Sequence, residues 1–182
     1  MTKQAYDYLT WRGEKYQVIR ENFLEPYLLE NYPIRPNKTG GTTDLYRGYI
    51  AELEVKDAQL YLTNLDVYFM DKPYPDLGNN APEGIGEIAR YEGMTERIYG
   101  TGLIVIAQDF IGHWDGFGNL HRFRKLIRFD FENGQPKQIR DFSSEAEKLR
   151  KPYIKYLHPT RKEVEETSGF SQKILRSDDL SS

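Results

Sequence analysis

Residues 49–62 read YIAELEVKDAQLYL, and this stretch decides the fold. Tyr49, Ala51, Leu53 and Val55 alternate with Ile50, Glu52 and Glu54, and a two-residue period sends the two sets to opposite faces of a strand. A connection over Lys56 to Gln59 sets Val55 opposite Leu60 and Leu53 opposite Leu62. Those four aliphatic side chains then share one face, while Glu52 and Glu54 take the wet one. A slip of one residue would exchange the faces, so the register is strongly specified.

Comparable ribbons flank this one. Tyr6 to Ile19 alternates through Leu9, Trp11, Tyr16 and Val18 about Arg12-Gly13, a short hairpin with the glycine in its turn. Arg124 to Phe142 turns at Asn133-Gly134. A bulge there sets Phe129 against Ile139 instead of Gln138 and keeps the apolar residues on one face. Leu103 to Ala107 is continuously apolar, as expected of a central strand covered on both sides.

Helices are signalled by capping-box spacings. Asn22 with Glu25 predicts a helix over 23–31 whose Leu24 and Leu28 face the core, and Ser144 with Glu147 predicts one that ends near Pro152. Thr160 with Glu163 repeats the spacing. Met70 to Gly100 is rich in Pro, Gly and Asn and exceeds the usual connection of about 4–6 residues; a short helix over Glu87 to Tyr91 fits within it. Together these features predict an α+β fold of mostly antiparallel strands over residues 1–158, a curved sheet or partly closed barrel with two short helices packed on it. Residues 159–182 are mostly Lys, Glu, Asp and Ser and read as a charged, partly flexible tail.

The chain of 182 residues has no cysteine, which excludes disulfides, thiolate metal sites and a cysteine nucleophile and fits a reducing compartment. Met1 to Tyr8 lacks the pattern of a secretory signal, and no apolar run approaches the roughly 18 residues of a membrane span. A cytoplasmic location follows as the expectation. A net charge of −3 opposes general attraction to nucleic acid. Fourteen Tyr and nine Phe supply aromatic bulk for a sheet core and for contact surfaces alike.

Candidate chemistry is sparse. Gly84, Gly86 and Ala89 outline a dinucleotide-binding turn, but Asn79 to Glu83 with Pro82 stands where its strand should be; no cofactor is expected. Asp109, His113, Asp115 and His121 lie within thirteen residues after the central strand, and carboxylates with imidazoles can pass protons. No metal-ligand spacing accompanies them, so no metal is expected. Trp114, Phe117, Arg122, Phe123 and Arg124 combine aromatic bulk with positive charge as contact candidates, although Arg124 and Lys125 also read as a solvated strand entry. No serine stands in a nucleophile elbow.

At Tyr46 to Ala51, at Leu60 to Leu62 and at Gly100 to Ala107 the chain resembles small bacterial proteins of uncharacterised function: an R-G-Y-I-A strand, an L-Y-L hairpin partner, and a glycine leading into a buried strand. The resemblance covers roughly residues 45–142 and implies the hairpin layout. It also implies a kinship with immunity partners of bacterial toxins, but transfers no active-site residue. The resulting expectation is a non-catalytic protein-binding domain with another protein as its partner. The alternatives are a small hydrolase acting through Asp109 and His113, and an aromatic-lined small-ligand carrier.

Overall fold

Hydrophobic period turns into strands along most of the chain. The computed structural model describes residues 6–32, 34, 47–68, 73–85, 88–112, 119–156 and 158–176. The strands are β1 (Asp7–Trp11), β2 (Glu14–Glu21), β3 (Tyr49–Lys56), β4 (Gln59–Tyr68), β5 (Glu83–Ile85), β6 (Ile88–Tyr91), β7 (Glu96–Arg97), β8 (Gly102–Phe110), β9 (Phe123–Glu132) and β10 (Gln135–Asp141). The helices are α1 (Leu24–Asn31), α2 (Ser143–Arg150) and α3 (Arg161–Leu175). The strands join in the order β10-β9-β8-β2-β1-β3-β4-β6-β5, with β7 beside β4. All the pairs are antiparallel except β1 with β3. The fold is therefore α+β with a mostly antiparallel sheet. Among the described residues β10 and β5 end the path unpaired with each other, and the sheet is not closed into a barrel.

The hairpin registers follow the alternation. Val55 faces Leu60 and Leu53 faces Leu62, and Leu9 faces Tyr16. In the last hairpin Phe129 does face Ile139, but the turn itself is a tight two-residue one and the bulge falls later, at Lys137. Asn133 and Gly134 both have positive φ, the pairing of dihedrals that matches strand twist in such turns. Ile139 nevertheless stays 42% exposed, on a strand that stands at the edge of the sheet.

Two cores lie on opposite faces of β8. Ile104 and Ile106 join Leu9, Leu53, Leu62 and Phe129, sealed by Leu24 and Leu28 of α1. Leu103, Val105 and Ala107 join Leu126 beneath Ala146 of α2 and Phe170 and Ile174 of α3. The continuous apolar run is continuous because each face has its own lid.

Several local expectations are corrected. Asn22 and Ser144 do not cap helices. The Leu24 N–H donates to Glu21 Oε2 (2.7 Å), and Asn22 Oδ1 instead accepts from Leu103 N (2.7 Å), tying the start of α1 to β8. At α2 the Ser143 N–H donates to Asp141 Oδ1 (2.8 Å). In both places a carboxylate one strand-end earlier reaches the helix first. Ile88 to Tyr91 is a strand, drawn into the ladder by pairing Leu65 with Tyr91 and Val67 with Ala89; Glu87 lies outside the described residues. Gly84 pairs with Ala89 across β5 and β6, so these two residues of the G-x-G-x-x-A outline lie on paired strands, and Ala89 is in no helix; Gly86 lies outside the described residues. Residues 161–175 form a third helix where two were expected.

The β9–β10 turn meets the start of β4 and the segment before β8 through backbone. Gly134 accepts from Leu60 N (2.8 Å) and donates to Gly100 O (2.7 Å). Its φ is +74°, and a Cβ there would lie 1.8 Å from the Ile98 carbonyl oxygen. Gly134→Ala is expected to destabilise the fold by about 2–4 kcal/mol in urea unfolding, from left-handed strain and the displaced backbone contact together. A loss below about 1 kcal/mol would show that the contact is dispensable.

Candidate functional site

Leu120–Arg122 forms a single 3-10 turn feeding β9, and it presents His121 and Arg122 towards α3. Thr160 opens that helix with a complete capping box: its hydroxyl accepts from Glu163 N (3.1 Å), and Glu163 Oε2 accepts from Thr160 N (3.3 Å). The same carboxylate takes two donors from Arg122, Nε to Oε1 at 2.7 Å and Nη2 to Oε2 at 2.8 Å. His121 Nε2 lies 2.7 Å from Oε1. All three side chains are sealed from water, at 0–1% exposure.

The node gathers further elements. Arg122 Nη1 donates to Tyr156 O (2.9 Å), fixing the turn after α2. Arg150 Nη1 donates to His121 O (2.8 Å) and Phe123 O (2.7 Å), fixing α2 itself. At the far end of α3, Arg128 Nη1 donates to Ile174 O (2.9 Å) and Arg176 O (2.6 Å), satisfying carbonyls that a helix end leaves open. Arg128 is balanced by Asp130, which also accepts from Arg140. An arginine thus holds each end of α3.

The ionisation states follow from this packing. Burial raises the Glu163 carboxyl, but the hydrogen bonds from Arg122 and His121 outweigh it and hold the group below its ordinary range. Burial, with Arg122 and Arg150 nearby, holds the His121 imidazole below its ordinary value despite Glu163. Its Nδ1 has no partner among the described residues. A neutral ring that donates through Nε2 leaves Nδ1 a bare acceptor, whereas a cationic ring would bury an unpaired N–H.

The described residues among those singled out from the sequence do not assemble into one site. His113, Trp114, Asp115 and Phe117 lie outside the described residues. Asp109 is exposed, at φ +57° between Gln108 and Phe110, which pair with Lys125 and Phe123 in one unbroken register, while His121 is fully buried in the node. Phe123 packs edge-on against Phe110 at 5.0 Å in the second core. Arg122 is held by Glu163, and Arg124 is exposed at the start of β9. Among the described residues no group of three His, Asp or Glu could hold a metal ion. Glu163 itself was not among the candidates. The signal that could have found it is the stripe Glu163, Thr167, Phe170, Ile174, at helical spacing with an acid on the buried face.

Large apolar side chains are exposed on the segments that the node fixes. Ile154, Tyr156 and Val164 are 56%, 42% and 49% exposed. The turn carrying the first two lies along α3, because Tyr153 donates its phenol to Glu166. That carboxylate, with burial, pushes the Tyr153 phenol up to about 12, so it remains a donor across the physiological range. A second feature is a groove of about 210 Å³ on the outer face of the sheet, lined by Ile50, Glu52, Asn64, Asp66, Arg90 and Glu92. Its charges are paired, Arg90 with Asp66 (2.9 and 3.0 Å) and Lys15 with Glu52 (2.6 Å).

No described helix is long and apolar enough to cross a membrane. No known family model, curated protein or solved structure matches the chain.

Removing the charge from Glu163 leaves Arg122 buried without a counterion. Glu163→Gln should lower stability by about 3–5 kcal/mol in denaturant unfolding, whereas the joint replacement Arg122→Met with Glu163→Leu should recover most of that loss. Equal losses in both variants would contradict an ionic anchor.

Acid should loosen the same node. His121 has a lowered pKa in the fold, so the unfolded chain takes up its proton first, and stability falls as pH drops below about 6.5. Glu163, also lowered, adds a second loss as pH falls below about 4.5. His121→Gln should remove the upper part of this decline in a pH series of unfolding midpoints. An unchanged upper limb would assign it elsewhere.

Proposed function

We propose that the chain is a non-catalytic protein-binding domain whose docking face is formed by the first turns of α3 and the 153–156 turn. The observation that carries this reading is the exposed set Ile154, Tyr156 and Val164, carried on the two segments that a buried ionic anchor fastens, the 153–156 turn and the start of α3. Exposed apolar side chains gain by being covered. A backbone already fixed by Arg122, through Glu163 and the Tyr156 carbonyl, loses little further freedom when a partner arrives.

The alternatives draw less support. A hydrolase needs reacting groups that a substrate can touch, and His121 is committed to Glu163 inside the protein. A carrier needs an apolar cavity, and the outer groove is lined mainly by charged and amide side chains. The immunity role implied by the R-G-Y-I-A resemblance is one form of the binding proposal, with a toxin as the covered partner.

Affinity capture from cell extract, with the chain and its Ile154→Asp/Val164→Asp variant as parallel baits, tests the proposal. A protein retained by the chain and reduced about tenfold or more on the variant is expected, since truncating central apolar anchors typically costs that much. Both side chains are exposed, so the unfolding midpoint should be unchanged. A partner held equally by both baits, or none held by either, would overturn the proposal.

A further inference from the structure

We infer that this face is built for an acidic segment of a partner protein that also carries apolar side chains; the inference rests on the protein-binding reading above. From Lys148 to Lys162 the chain contains no Asp or Glu, although its net charge is −3. Lys148, Lys151, Lys155, Arg161 and Lys162 are all exposed there. Arg124, on β9, lies close enough to Arg150 to act on its charge, which brings a further exposed cation to the same region. Positive charge is thus concentrated around Ile154, Tyr156 and Val164.

The neighbouring carboxylates offset only part of it. Glu147 pairs with Lys151 (3.4 Å), Glu165 with Arg161 (2.8 Å) and Glu166 with Lys162 (3.6 Å). Those cations are 70%, 93% and 77% exposed, and such solvated pairs within one helix are weak and exchange readily. The Lys155 ammonium stands 5.1 Å over the Tyr156 ring, so cation and aromatic are offered together.

The mixture selects among polyanions. Ile154 and Val164 offer nothing to a phosphate backbone, whereas a segment interleaving carboxylates with aliphatic or aromatic residues uses both features. The chain's own net charge adds a general repulsion to nucleic acid.

Fluorescence anisotropy with the full chain tests the inference with three labelled probes: a peptide alternating Glu and Leu, one alternating Lys and Leu, and a single-stranded oligodeoxynucleotide of equal length. The Glu–Leu peptide should bind, and should weaken about tenfold both in the Lys151→Glu/Lys155→Glu/Arg161→Glu variant and on passing from about 50 to 300 mM salt. Unchanged binding by that variant, absent binding, or equal or tighter binding of either other probe would overturn the inference. So would sedimentation showing that the chain associates with itself through this face. The capture experiment separates the two failures. A partner lost with Ile154→Asp/Val164→Asp but kept by the charge-reversed variant would leave the docking face standing and remove only its preference for acid.

Discussion

A carboxylate sealed from water holds α3 to the rest of the protein. Burying Glu163 alone would be prohibitive; it is tolerated because Arg122 meets both of its oxygens and His121 meets one of them. The helix that gains by this is a poor candidate for independent order. Its sequence, RKEVEETSGFSQKIL, contains few apolar residues, and isolated helices of about 15 residues are marginal in water. Phe170 and Ile174 contribute apolar burial, but the two arginines fix where the helix begins and ends. Lost together, they would leave the outer face of β8 and β9 without its second lid.

The same device recurs wherever an element must be fastened to the sheet. Arg150 fastens α2 through two carbonyl groups. Asn22 fastens the start of α1 to β8. Asp7, also buried, accepts from Ala51 N (2.9 Å) and pairs with Arg47 (2.8 Å), reinforcing the place where β1 and β3 run parallel. Each charge or amide has at least one backbone partner, which ties the segments around it in place. That is the physical link between the buried polar groups and the proposed docking face: the node fixes the backbone that carries Tyr156 and Val164, and is itself sealed from water.

The parts of the fold that could be read from sequence are those governed by nearest neighbours along the chain. Alternation in 49–62 defines which residues face each other, because the competing register would turn Leu53 and Leu62 to water. The run at 103–107 announces a doubly covered strand for the same reason. Ile88 to Tyr91 could not be read, since a four-residue strand is made by its pairing with β4 and not by its own pattern. Nor could α3 be placed: its anchoring partners lie 41 and 42 residues away. His121 and Arg122 attracted notice as ionisable groups near the end of a strand, which they are. Whether such groups face a substrate or a helix is decided by the path of α3, and composition carries no trace of that path.

Native-state amide hydrogen exchange tests the central claim most directly. If the Glu163 node makes α3 part of one cooperative unit with the sheet, the amides of Phe170 and Ile174 should exchange with the same opening free energy as those of Val105 and Ile106 in β8. Exchange of the α3 amides through a separate, low-energy opening while β8 remains protected would contradict it.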